Sequence, residues 1–428
     1  MIALSPLIFF IIIYLATSIV AGNFYKVPIT VAFMLTAIFS IAVSRGRLGN
    51  RIKVFSRGAG RKNLMLMLWI FVLAGAFAQS AKELGCVEAF VSMILSTVPP
   101  DALLAGFFLA SAFLSLSIGT SVGTIVTLTP IAAGIAEALS LSVPMLTGIV
   151  VGGSFFGDNL SFISDTTVVA TQSQGCSMSD KFKTNIFIAL PAAVVTLVVY
   201  AFIGVSLDIS AAPVSTFDGG SSAFIQVIPY LAVLITAMLG VNVFLVLTIG
   251  ITLTGLLAMF LNPSSDSFYA WLGSMGAGIS GMGELIIVSL LAGGVLETIQ
   301  ANGGIRYIIS KATNHINSPR KAELCIASLV SLVDVCTANN TISIITVSGI
   351  AREMSIRYGL DNRRVASILD TFSCIMQGIL PYGAQLLMAA ALAQCAPADI
   401  VPHLYYTLAL LLFAVMAILF RKNAEPAK

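Results

Sequence analysis

Apolar runs of roughly 18–20 residues recur along the whole chain, and that feature alone removes most folds from consideration. In a bilayer each backbone N–H and C=O must find its partner inside the segment, so such runs are helices. A β-barrel would instead show short segments of alternating hydrophobicity. Composition agrees, since 58% of the 428 residues are hydrophobic, 10% are charged and the mean hydropathy is +0.99. A soluble protein of this size could not cover so much apolar surface. Spans are expected at about 4–21, 25–44, 64–81, 147–173 and 186–206 in the first half. The second half gives about 223–239, 241–261, 284–300, 364–393 and 403–420.

The net charge of +3 is small, but its distribution orients the chain. With the N-terminus inside, 20 of the 22 basic residues fall in cytoplasmic segments, and only Lys26 and Lys82 lie outside. Lys181 and Lys183 are counted among the cytoplasmic ones. The positive-inside rule therefore predicts a multi-pass plasma (inner) membrane protein with both termini cytoplasmic. The six Cys are scattered without metal or redox spacing, and His315 and His403 lie near helix ends. The run from Leu7 to Ile19 has no basic stretch before it and reads as a retained first helix.

Self-comparison finds one repeat at an offset near 217. Ala74-Gly75 matches Ala292-Gly293, Gly85 matches Gly303, and Thr120 and Thr124 match Thr337 and Thr341. Phe156 and Ile163 match Phe372 and Ile379, which sets Asp158 opposite Cys374 and Asp165 opposite Pro381. Each half carries five spans, an odd number, so the two copies must be oppositely oriented. The expected fold is an all-α polytopic membrane protein of two inverted repeats, 1–210 and 222–421. It has about ten transmembrane helices, two re-entrant hairpins and two interfacial helices. The hairpins are 102–140 and 321–357, each interrupted by polar residues, and the interfacial stretches are 83–98 and 305–316.

Residues 157–167 read GDNLSFISDTT inside the apolar span 147–173. An Asp at the bilayer centre costs at least about 2.5–3.5 kcal/mol, so carboxylates there mark ion pathways. A helix that stops in the membrane also leaves carbonyls free to hold a hard cation. The predicted site joins Asp158, Asn159, Ser161, Ser164, Asp165 and Thr166 to Thr120, Ser121 and Thr124 of the first hairpin, with Na+ at Asp158 and Asp165. A second-half site comprises Thr337, Asn339, Asn340, Thr341 and Gln377, with Asp334, Asp370 and Glu297 as its acids. Pro381 supports a break in 364–393. Asp370 and Glu297 have a second reading, as partners of cytoplasmic Arg. The run Gly148, Gly152, Gly153, Gly157 reads as close helix packing. Apolar surroundings favour a protonated carboxyl and a bound cation favours the ionised form, so one Asp can exchange one for the other.

GDNLSFISDTT resembles the GDKLSP-x-SDTT stretch of the NhaC-type sodium/proton antiporter family, within a broader ion-transporter superfamily. The resemblance extends to AGGVLETIQANGG from Ala292 and to the stretch from Asp370 through Ala391. It implies a plasma-membrane carrier exchanging Na+ for H+, and it points to Asp158, Ser161, Ser164, Asp165 and Thr166. Asn159 stands where the family usually has Lys, and Phe162 where it usually has Pro.

The expected activity is secondary exchange of Na+ or Li+ for H+ by alternating access. The alternative is a Na+/H+-coupled organic-anion exchanger of malate/lactate type, disfavoured because no Arg or Lys is expected near either break. From another class, an intramembrane aspartyl protease would use two membrane Asp, but Phe155 occupies the first Gly position of its G-x-G-D motif. No H-E-x-x-H or P-loop is present, so an enzyme or ATP-driven pump is not expected. The expected partners are the lipid bilayer, Na+, H+ and, in the alternative, a small organic anion. No nucleic acid and no cofactor are expected, and a homodimer is left open.

Overall fold

A computed structural model of the chain describes residues 2–10, 12–13, 28–161, 164–207, 221–239, 241–261, 263–312 and 316–420. Half of the expected first span, the start of the second, Lys26, Phe162, Ile163, His315 and the junction between the halves lie outside the described residues. No strand occurs among the described residues. The helices of the first half are α1 (Ile29–Val43), α2 (Leu48–Ala59), α3 (Lys62–Glu83), α4 (Cys86–Thr97), α5 (Leu103–Ile118), α6 (Ser121–Ala138), α7 (Val143–Leu160), α8 (Asp165–Gln174) and α9 (Met178–Ser206). The second half runs α10 (Ser221–Met238), α11 (Val243–Leu261), α12 (Ser265–Gly281), α13 (Gly283–Ala301), α14 (Gly304–Ala312) and α15 (Pro319–Thr337). It continues with α16 (Asn340–Tyr358), α17 (Asn362–Ile379), α18 (Ala384–Ala393), α19 (Pro397–Ile400) and α20 (Tyr405–Leu419).

Seven described helices or joined helix pairs are long and apolar enough to cross a membrane, or eight if the bent pair Pro397–His403 and Tyr405–Leu419 is one span. About ten were expected. The first span is only partly described, Thr30–Val43 and Phe224–Thr236 are short, the tenth span enters only with the bent pair, and the seven include Ser121–Ala138, expected as a hairpin arm. Two helices were not foreseen. The basic, amphipathic α2 and the glycine-rich α12 occupy matching places in the two halves.

Each stretch expected as a hairpin holds two helices that meet at one left-handed residue. Gly119 ends α5 at φ 75° and Thr120 is extended before α6. Ala338 ends α15 at φ 45°, and Asn339 caps α16 by accepting the Ile342 N–H through Oδ1 at 2.9 Å. Both long spans are broken. Helix α7 has 18 residues and α8 has 10, and α17 and α18 repeat those lengths. The interruptions are 161–164 and 380–383, of equal length.

These equal elements correct the register read from sequence identity. Thr120 and Asn339 are the equivalent caps, so Thr120 is not the twin of Thr337. Asp158 lies two residues before the end of α7, and Gln377 lies two before the end of α17. Gln377, rather than Cys374, thus holds in α17 the place that Asp158 holds in α7.

Contacts between the halves are reciprocal. Helix α6 packs on α18 while α16 packs on α8, and α3 packs on α12 while α13 packs on α2. Glycines permit the closest approaches. A Cβ on Gly157 would lie 2.4 Å from Leu116 N and Ser115 Cβ, and one on Gly153 would lie 2.6 Å from Ser111 Cβ. Helix α7 thus rests directly on the backbone of α5, which fixes the break against the first hairpin. Between α3 and α12, Gly75 and Gly278 face each other in the same way.

Candidate ion-binding site

Asp158 is 5% exposed and sits where α7 ends against the tip of the first hairpin. Its two oxygens each accept one hydroxyl: Ser121 Oγ donates to Oδ2 at 2.8 Å, and Ser164 Oγ donates to Oδ1 at 2.5 Å. Ser121 is the first residue of α6 and Ser164 the N-cap of α8, so three separate helix ends meet at one carboxyl. Thr166 stands 2.9 Å from Ser164, whose proton is already committed to Asp158. Ser161 turns to the Leu116 carbonyl at 3.3 Å.

A chain of donors links this carboxyl to the second half. Gln377 Nε2 donates to Gln385 Oε1 at 2.7 Å and to the Ala338 carbonyl at 3.2 Å. Gln385 Nε2 donates to Ser121 Oγ at 3.3 Å, and Ser121 donates to Asp158. Asp158 and Gln377 are thus joined through Gln385, and both hairpin tips take part. The Oε1 of Gln377 is buried without a hydrogen-bond partner.

Asp165 does not join Asp158. It is exposed at the start of α8. In one continuous helix, residues seven apart would share a face, but the interruption at 161–164 removes that relation. Asp165 instead complements the positive end of α8.

Beside the Asp158 site, but facing α9, lies a second buried polar cluster. Lys181, 1% exposed, forms an ion pair with fully buried Asp370, and its Nζ also donates to the Asn159 carbonyl and, at 2.9 Å, to Thr167 Oγ1. Asn185 donates to the Asn159 carbonyl at 3.0 Å and accepts from Ser367 at 2.7 Å and Thr371 at 2.8 Å. Asn159 Nδ2 reaches Asp370 at 3.3 Å. Asp370 thus has a buried cation for a partner, not a cytoplasmic Arg. The expectation that no basic residue approaches a break is overturned, because α9 starts at Met178 and carries Lys181 inward.

The remaining expected residues separate. Thr124 donates to the Thr120 carbonyl at 3.3 Å, and Thr337 donates to the Asn339 carbonyl at 3.2 Å. Asn340 Oδ1 accepts the Thr341 N–H at 3.0 Å. These groups serve their own turns. Glu297 lies away from both breaks, clasped by Arg57 at 3.1 Å and by Arg61. Asp334 is fully buried three residues before the end of α15. Sequence reasoning did not single out Lys181, Asn185 or Gln385 as site residues. The signal for the first two was their spacing of four, after the capping box Ser177-Met178-Ser179-Asp180.

A cleft of about 890 Å³ runs between α3, α12 and α13 on one side and α18 and α19 on the other. It reaches Pro381 at the second break, and its charged lining residues are Glu284 and Asp399. A neighbouring cleft of about 430 Å³ is lined by Lys82, Glu88 and Glu137. Asp158 lines neither one. Helix α18 is the partition, since Leu387, Ala390 and Ala391 face the larger cleft while Gln385 bonds to Ser121. Among the described residues no three His, Cys, Asp or Glu converge. The candidate cation site is therefore one carboxylate with hydroxyl and carbonyl oxygens, a donor set of single charge suited to a hard monovalent ion.

An all-helical membrane protein with hairpin tips, two broken helices and an enclosed carboxyl at their meeting point has the layout of a secondary transporter. The chain belongs to the Na+/H+ antiporter family, whose model matches residues 2–205 and 210–421. It is 23% identical over 378 residues to the Na(+)/H(+) antiporter NhaC of Bacillus subtilis, covering 81% of each chain. It is 24% identical over 412 residues to the Malate-2H(+)/Na(+)-lactate antiporter of the same organism, covering 88% of this chain and 87% of that one. Among solved structures it is similar to the YdaH transporter of Alcanivorax borkumensis, with a TM-score of 0.44 and 12% identity over 91% of this chain and 97% of that chain.

Proposed function

We propose that the protein exchanges Na+ for H+ across the plasma membrane, with cation and proton competing for Asp158. The observation that carries this reading is the enclosure of a carboxyl bonded only to neutral hydroxyls, beside a second carboxyl already neutralised by Lys181. One uncompensated negative charge inside the membrane calls for one positive charge, and either Na+ or H+ supplies it. Ser121 and Ser164 would turn their oxygens to the bound cation, and carbonyls at the ends of α5 and α7 would complete its shell.

In this reading the halves are inverted and both termini are cytoplasmic, as the location of 19 of 22 basic residues supports, with Lys26 and Lys82 outside and Lys181 buried beside the first break. The larger cleft then opens to the outside, and movement of α18 with the hairpins exposes Asp158 to each side in turn. The acidic lining of the cleft speaks for a cation rather than a dicarboxylate as cargo. The test is reconstitution in vesicles under an imposed pH gradient, following internal pH as Na+, Li+, K+, malate or lactate is added. Cation-dependent proton movement that disappears in Asp158→Asn is the expected result. Proton movement that ignores every cation would sink the proposal.

A further inference from the structure

We propose that Asp334 is a second proton-binding site, separate from the cation site, so that exchange moves one proton more than competition at Asp158 provides. Among the buried carboxyls of the described residues, Glu297 and Glu323 pair with Arg, and the remaining three have three different surroundings. Asp370 has a cation, Asp158 has two hydroxyl donors, and Asp334 has neither. Both oxygens of Asp334 are buried without a hydrogen-bond partner, and among the described residues no ion pair reaches it. The hydroxyl of Ser343 approaches from α16, but its proton goes to the Asn340 carbonyl at 2.7 Å. While that bond is made, Ser343 presents Asp334 with a lone pair rather than a proton. A carboxylate, which only accepts, gains nothing from that, whereas a carboxylic acid can donate to it.

The twin position in the first half points the same way. Ser115 lies three residues before the end of α5, as Asp334 does in α15, and each carbonyl accepts the N–H of the left-handed residue that follows. Ser115 acts as a donor, bonding the Ser154 carbonyl at 2.5 Å. Of the two forms of Asp334, only the acid can play that part. The other titratable groups facing Asp334 are the Cys336 thiol on its own helix and the Tyr382 phenol from the second break. Tyr382 donates to the Val335 carbonyl at 2.8 Å and so ties the break to the residue beside Asp334. The adjacent hairpin tip, 337–339, lines a cavity of about 60 Å³ with Arg61 and Tyr382. Displacement of that tip opens the path by which the proton leaves, as H+ to water, and another enters.

This inference rests on the antiport reading, and its test separates the two. In vesicles, wild-type protein establishes whether Na+ moves protons at all, which decides the antiport reading alone. Protons moved per Na+ are then compared in wild type, Asp334→Asn and Asp334→Ser, the last placing at 334 the residue that serves at 115. The expected result is a loss of one proton per Na+ and a changed response to an imposed membrane potential, with Na+ affinity kept. An unchanged proton count overturns the assignment, as does loss of Na+ binding in both variants. Infrared difference spectra of the purified protein give an answer independent of transport. Recorded at saturating Na+, which displaces the proton from Asp158, the carboxylic-acid C=O band that remains in wild type is expected to vanish in both variants, and its persistence in them also overturns the assignment.

Discussion

Lys181 and Asp370 form an ion pair whose side chains are 1% and 0% exposed, joining α9 to α17 next to the first break. Removing one partner of such a pair leaves an uncompensated charge and costs about 3–5 kcal/mol, whereas replacing both with apolar residues is often tolerated. Lys181→Met is therefore expected to lower the thermal midpoint in detergent sharply. Lys181→Met combined with Asp370→Leu should recover much of it. Midpoints that stay unchanged in the single variant would show that the pair is not formed.

Asp158 and Asp165 are expected to behave differently, although they share one polar segment. Asp158 is enclosed and doubly bonded, while Asp165 is exposed at the head of α8. Asp158→Asn should abolish Na+-dependent proton movement, and Asp165→Asn should keep most of it. The check is initial rate against Na+ concentration for both variants. Equal loss in the two would return Asp165 to the site.

That difference shows where the sequence was legible and where it was not. Polar residues inside apolar runs pointed to the helix ends at 118–121, 160–165, 337–340 and 379–384, where backbone groups without intrahelical partners need polar neighbours. Membership of one cluster was not legible, since α7 ends at Leu160 and α8 begins anew at Asp165, so the face that carries Asp158 is not continued by Asp165. Identity also misled the repeat register. The hairpins share Thr at 120 and 337, yet the residues that precede α6 and α16 are Thr120 and Asn339, both extended, so matching residue names did not mark matching backbone positions. Lys181 was hidden by counting basic residues as cytoplasmic, when a long side chain at a helix start can as well turn inward.

The donor chain from Gln377 through Gln385 and Ser121 to Asp158 yields a graded series. A hydrogen bond to a charged group is worth about 1.5–3 kcal/mol, and one between neutral groups about 0.5–1.5. Ser164→Ala, which strips Asp158 of a direct donor, should weaken apparent Na+ affinity by about 10–100-fold. Gln385→Leu acts one bond away and should weaken it by up to about 10-fold. A double-mutant cycle between Gln385→Leu and Ser121→Ala should be non-additive. Strict additivity would mean that the second half does not act on Asp158 through this link.

The two hairpin tips make opposite demands on the same backbone shape. Both turns pass through the left-handed region, where Gly119 has φ 75° and Ala338 has φ 45°. A Cβ in that region costs about 1–2 kcal/mol, while glycine adds about 0.4–1 kcal/mol of unfolded-chain entropy. The strain outweighs the entropy, so Ala338→Gly should stabilise the protein by up to about 1 kcal/mol, and Gly119→Ala should destabilise it by a similar amount. Thermal midpoints of the two variants in one detergent should therefore move in opposite directions. A fall for Ala338→Gly would show that the alanine methyl packs well enough at the tip of the second hairpin to outweigh the strain it carries.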